Sequence, residues 1–297
     1  MRNSLFVTLF LLAALPVLAD EPGHPVTLWK VAGAQNSVYL LGSIHLLREK
    51  DYPLPKILDT VYDDAEVLVM EIDMDDMNPL AAQTAFTTYG IIQDEQTLQD
   101  LMGHELYEKA LSAADAIDIP LDMLSKTEPW YAAMTVEIMM LSRIGFNPAL
   151  GIEMYMMSKA STDNKPIEGF ETVEQQIQFL DGMSLDAQRE MLLSTLVESA
   201  KMGEMMDDLI DAWRHGDVSF LESGMLVELE KHEELNKALV TDRNARWVTR
   251  IDELLNDDDD YLIIVGALHL VGPDSVPTQL QNIGYDVRQL SEPPTLR

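Results

Sequence analysis

Two short phrases, far apart in the chain, constrain it more than any other feature. Val38-Tyr39-Leu40-Leu41 runs into Gly42-Ser43-Ile44-His45, and Tyr261-Leu262-Ile263-Ile264-Val265 runs into Gly266-Ala267-Leu268-His269. Each is a β-like run followed by glycine, two residues and histidine. Glycine lets the chain turn tightly or approach another backbone closely. Each histidine then falls just past the carboxyl end of a strand, where open α/β sheets build their sites. Brought together, the two ends would place two imidazoles in one cleft, the start of a metal site or an acid–base site.

A third run points the same way. Val67-Leu68-Val69-Met70 reads as a strand buried on both faces, and Glu71 closes it. A carboxylate there is costly to bury unless it is paired or binds a metal. His45, His269 and Glu71 form a donor set suited to a divalent ion with open positions. Asp73 and Asp75 follow as weaker candidates. Arg243, Arg246 and Arg250 share one helix face. They are read either as partners of nearby acids such as Asp242 and Glu253, or as a set with one inward member that holds a substrate carboxylate or oxyanion. Asn244 would add an amide contact.

The other four histidines, His24, His104, His215 and His232, read as structural or exposed, and neither His104-Glu105 nor His232-Glu233 completes an HExxH motif. There is no GxSxG elbow, P-loop or GxGxxG after a strand. The chain has no cysteine, which excludes disulfides, thiol nucleophiles, cysteine zinc sites and a diacyl-lipoprotein anchor. The methionine pairs and Trp130, Trp213 and Trp247 read as packing residues.

Along its 297 residues, the chain begins with Arg2, an apolar run from Leu5 to Leu15, then Pro16-Val17-Leu18-Ala19. Residues 1–19 read as a secretory signal, with Val17 and Ala19 at the cleavage positions. The run falls short of the roughly 20 apolar residues of a membrane span. The expectation is an exported protein, periplasmic or secreted, with no stable membrane anchor after cleavage. The formal net charge of -31 would repel nucleic acid and reads chiefly as a solubility feature.

The periodicity predicts an α/β (α+β) fold. A hairpin spans 26–32 and 37–41, a helix 54–65 and a strand 66–73. A mostly helical stretch follows over about 75–256, with a short strand near 166–170 and a final helix over 226–256. A strand at 261–266, a helix at 273–283 and a strand at 285–290 close the chain. The central sheet is therefore split between the two ends of one domain (20–297) around a large helical insertion. The run Asp257 to Asp260 lacks the glycine and glutamate of a calcium loop and reads as a solvated connection.

These residues, in this order, resemble the TraB/GumN family of PrgY- and TIKI-like proteins. The resemblance runs from Leu40 to Leu46 through Met70-Glu71 and Gly151-Ile152-Glu153. It continues over Lys165 to Thr172 with Gln175, and Asp242-Arg243-Asn244, to the stretch Val265 to Asp274. It implies a metal-dependent hydrolase, peptidase-like, in which His45, His269 and Glu71 hold a divalent ion (manganese, cobalt or zinc). Glu71, Arg243 and Asn244 would carry the catalytic role on a peptide or protein substrate. Glu171 matches the family's mid-chain glutamate, whereas Glu153 stands where the family pattern has aspartate. Two rival readings use the same cleft: a non-catalytic protein that binds peptide, haem or metal, and an esterase-like hydrolase without metal that uses His45 or His269 as base.

Overall fold

The computed structural model describes residues 26–73 and 78–290. The expected signal segment, His24 and Asp75 lie outside the described residues. The strands are β1 (Leu28–Ala32), β2 (Ser37–Ser43), β3 (Val67–Ile72), β4 (Ile167–Glu171), β5 (Tyr261–Gly266) and β6 (Val287–Gln289). They form a mixed sheet in the order β4-β3-β5-β2-β1-β6, so the architecture is α/β. β5 is central: it runs parallel to β2 on one side and β3 on the other, and β4 runs parallel to β3. β1 and β6 complete the sheet as antiparallel strands.

Helices and sheet explain each other's sequences. Leu262, Ile264, Leu40 and Leu41 are fully buried, and each contributes roughly 1.5–3 kcal/mol. The turn between β1 and β2 is pinned to the start of β5, since the Asn36 amide donates to Leu254 O and Asp259 O. That contact gives the acidic run before β5 a structural anchor. The helix Asp242–Leu254 buries Arg243, Asn244, Trp247, Val248, Ile251 and Leu254, the spacing of one helical face. A second apolar cluster joins the helices His104–Ala116, Pro129–Arg143 and Leu185–Glu198. No helix among the described residues is long and apolar enough to cross a membrane.

One expected element is broken. The pattern over 226–256 predicts a single helix, but the chain interrupts it at His232, whose φ of -107° and ψ of 77° leave the helical region. A π-turn at Lys237–Thr241 then leads into Asp242–Leu254. Contacts with another helix account for the break: Ser184 N and Oγ both donate to Glu234 at 2.8 Å. His232 Nδ1 stands 3.3 Å from Glu190. The helix expected over 273–283 is also shorter, starting at Val276 behind the Ser275 cap.

Candidate active site

Four parallel strands each deliver one side chain to the same edge of the sheet. β2 leads to His45, β3 carries Glu71, β4 ends in Glu171 and β5 leads to His269. The pairing Ser43↔Gly266 aligns the two glycine–histidine phrases side by side. A Cβ built on Gly266 would stand 3.2 Å from His45 Nε2, 3.4 Å from Glu71 Oε1 and 3.6 Å from His269 Cδ2. Only glycine leaves that space clear. The two histidines and the glutamate thus share one cleft.

Each imidazole is held from behind. Glu153, at the start of the helix Ile152–Asp163, accepts the Nδ1–H of His45 at 2.8 Å, and Ser43 Oγ donates to the same oxygen. Gly151 makes this contact reachable, because a Cβ there would lie 2.1 Å from the His45 carbonyl oxygen. His269 Nδ1 donates to Asn244 Oδ1 at 2.7 Å. The Asn244 amide in turn donates to the Asp274 and His269 carbonyls, which fixes its orientation and hence the imidazole tautomer. Fully buried Asn244 therefore sits behind His269, away from the open cleft.

Arg243 organises the carboxylates. Its Nε and Nη2 donate to Glu171 Oε2 at 2.9 and 2.7 Å, and Nη2 also donates to Glu71 Oε2 at 2.5 Å. Its Nη1 donates to Leu239 O and His269 Nε2, at 3.2 and 3.3 Å. The guanidinium is thus committed to protein groups. Arg246 and Arg250 are half exposed; Arg250 pairs with Glu253 and Glu168. Glu171 also receives Trp247 Nε1 at 3.1 Å. The Trp247 ring lies 4.4 Å from the His269 ring and stacks at 5.2 Å on Phe170.

These contacts set the charges. Glu153 pushes the His45 pKa up to about 9 against the opposing cost of burial, although the side chain is 55% exposed and water screens part of that attraction. Burial, aided by Arg243, pushes His269 down to about 3. Burial disfavours the Glu71 anion. Arg243, the two imidazoles and the Gly266 N–H outweigh that and hold it far below the usual carboxylate range.

The donor chemistry suits a divalent ion: two Nε2 atoms whose Nδ1 partners fix the tautomer, and one carboxylate. The spacing of the donors is wider than coordination requires. Among the described residues no cluster of three or more such side chains is arranged to hold a metal. Glu71 Oε1 and His269 Nε2 stand 3.8 Å apart, and Arg243 contacts both residues.

Several site residues escape a reading of the sequence. Gln175 closes a capping box with Thr172, while its neighbour Gln176 reaches Glu71 and Glu171 at 3.2 and 3.3 Å. The capping signature Thr-x-x-Gln was the available signal, since it fixes which side of that helix faces the sheet. The resemblance marks the position of Glu153, but glutamate in place of the expected aspartate leaves its role unassigned until the contact with His45 is seen. Asp73 lies at the end of β3 against Gly169.

A model of the TraB/PrgY/gumN family matches residues 27–289. The chain belongs to that family. Similar family proteins include the uncharacterized YbaP of Escherichia coli K12, 22% identical over 82% of this chain and 87% of its own length. An uncharacterized protein of Treponema pallidum is 24% identical over 89% of this chain and 82% of its own. The metalloprotease TIKI2 of Xenopus tropicalis is 23% identical over 92% of this chain and 62% of its own. No solved structure matches the chain.

Proposed function

We propose that this family member is an exported, metal-dependent hydrolase that cleaves peptide bonds. The observation that carries the reading is the convergence of His45, Glu71 and His269 on Gly266. The name of the relative TIKI2, a metalloprotease, supports it. His45 Nε2, His269 Nε2 and Glu71 Oε1 would hold manganese, cobalt or zinc. Such an ion supplies Lewis acidity toward a scissile carbonyl.

The protein's own groups divide the remaining work. Glu153 and Asn244 orient the imidazoles. Arg243 balances the charge of Glu71 and Glu171 and keeps Glu71 ionised. A carboxylate with so low a pKa is a weak base near neutral pH, so Glu71 serves as ligand and electrostatic partner. Arg243 positions Glu71 from within the site, since its donors are already used by the protein.

The test is metal analysis of the purified chain together with cleavage of a mixed peptide library, with and without chelator. Stoichiometric metal and chelator-sensitive cleavage, both lost in His45→Ala and His269→Ala, are expected. Metal content unchanged in both variants, or cleavage that resists chelation, overturns the reading.

A further inference from the structure

Glu71 takes hydrogen bonds from three separate elements. At the end of β5, the Gly266 N–H donates to Oε1 at 2.8 Å. From the helix Asp242–Leu254, Arg243 Nη2 donates to Oε2 at 2.5 Å. From the helix Val173–Asp181, the side-chain amide of Gln176 donates to that same Oε2 at 3.2 Å, and to Glu171 Oε2 at 3.3 Å. An ionised carboxylate only accepts, so the nitrogen of the amide, not its oxygen, must face these two groups.

The helix Val173–Asp181 fixes where Gln176 points. Thr172 N donates to Gln175 Oε1 at 2.8 Å and Gln175 N to Thr172 Oγ1 at 3.2 Å, while Ile177 and Leu180 are buried. One step of about 100° around the helix separates exposed Gln175, at the cap, from half-buried Gln176, at the carboxylates. Glu171 has little need of the amide, because it already receives Arg243 Nε and Nη2 and Trp247 Nε1. Glu71 is different. The terminal torsion of a glutamate is broad and roughly two-fold, and Arg243 offers it one N–H group that is shared with Glu171. A second donor on Oε2, from another helix, stops the carboxylate from turning. Oε1 then keeps the Gly266 N–H and has a further lone pair 3.8 Å from His269 Nε2.

We infer that Gln176 is a positioning residue: with Arg243 it pins Oε2 of Glu71 and so holds Oε1 toward the two histidines. Its consequence for an ion rests on the hydrolase reading; its consequence for the orientation of Glu71 does not.

The experiment uses the full chain, isotope-labelled at glycine nitrogen, and reads the Gly266 amide by NMR in chelator. That amide is bonded to Glu71 and not to Gln176, so a change at Gln176 reaches it through the carboxylate. Gln176→Leu removes the side-chain amide, and Gln176→Asn withdraws it by one methylene. Both are expected to move the Gly266 proton upfield and to speed its hydrogen exchange about tenfold. The Gly42 amide, bonded to Thr27 O, should stay as it is. Gln175→Leu loses only the helix cap; it should lower the thermal midpoint and leave Gly266 unchanged. Cobalt titration against a competing fluorescent chelator then reads the ion. Affinity should fall roughly 10–100-fold in both Gln176 variants and hold in Gln175→Leu. A Gly266 amide that keeps its wild-type shift and exchange in both Gln176 variants overturns the inference. So does an equal response in Gln175→Leu, or cobalt affinity that holds while the amide moves. If the wild-type chain takes up no cobalt and the amide moves, the positioning stands and the metal-dependent reading falls. Cobalt binding with an unmoved amide does the reverse.

Discussion

Glu153 Oε1 stands 2.8 Å from His45 Nδ1 and accepts the Ser43 hydroxyl on the same oxygen. One carboxylate therefore sets both the tautomer and the tilt of the first histidine. Glu153→Gln keeps a carbonyl acceptor but removes the charge. Metal affinity and kcat should fall roughly 10–100-fold, and the His45 pKa should drop from about 9 toward its ordinary value. Metal titration and NMR of the His45 ring in the metal-free protein check this. A ring that still titrates near its wild-type value in the variant sinks the assignment. Glu153→Asp should retain the charge and recover only part of the activity, because its chain is one methylene shorter.

The two histidines pull stability in opposite directions with pH. In the metal-free protein His45 is raised to about 9, so its contribution is complete below its ordinary 6.5 and is lost as pH rises through about 9. His269 is lowered to about 3, so its contribution is complete above 6.5 and is lost as pH falls toward 3. Depressed Glu71 adds to the acid limb, losing its contribution below its ordinary 4.5. Urea midpoints taken across this range should peak near neutrality. Glu153→Gln should flatten the alkaline limb and, because against the cost of burial His45 and Ser43 hold Glu153 itself below its ordinary 4.5, part of the acid limb as well.

Arg243 is the side chain whose loss should cost the most stability. Arg243→Ala leaves buried Glu71 and Glu171 without their cation, and breaking a buried pair in this way costs about 3–5 kcal/mol. Arg243→Lys cannot reach both carboxylates and His269 from a single ammonium, so it should recover less than half of that loss. Urea unfolding with circular dichroism measures both. A loss under about 1 kcal/mol for Arg243→Ala contradicts a structural role for the ion pairs.

Three glycines should respond differently to alanine. In Gly151→Ala the Cβ meets the His45 carbonyl oxygen at 2.1 Å, and in Gly42→Ala it meets Thr27 Oγ1 at 2.9 Å and Ala267 Cα at 3.0 Å. Backbone must shift in the first, and the segments around Thr27 and Ala267 must give way in the second, so both should lose at least about 1–3 kcal/mol. In Gly266→Ala the nearest atoms are the tips of His45 and Glu71. That variant should melt near wild type and lose metal binding and activity.

Local elements were legible because their causes are local. The runs around Leu40, Val69 and Ile263 declare strands, and the helix His104–Ala116 ends where its periodicity ends. The two glycine–histidine phrases could be found singly. Their meeting depends on the register Ser43↔Gly266, a contact across more than two hundred residues that no local pattern encodes. The break at His232 was invisible for a related reason. Lys231-His232-Glu233 contains neither glycine nor proline and reads as a solvated helix, and tertiary bonds from Ser184 and Glu190 override that propensity. Arg243 was found, but its commitment to Glu171 and Glu71 was not, because the partners come from other strands. Asn244 was expected to face the substrate; one step around the helix turns it behind His269.

The central position of β5 carries a consequence for how the protein is made. β2 and β3 are both complete early in the chain, yet β5, near the end of it, must lie between them. Until residues 261–266 have emerged, the β1–β2 pair and the β3–β4 pair have no strand between them, and Glu71 has no Gly266 N–H to accept. Cleft and sheet are thus finished in the same late event, a topology that delays folding. A chain of this kind stays unfinished until its last strands emerge, and a prematurely ended one lacks the cleft in which His45, Glu71 and His269 meet.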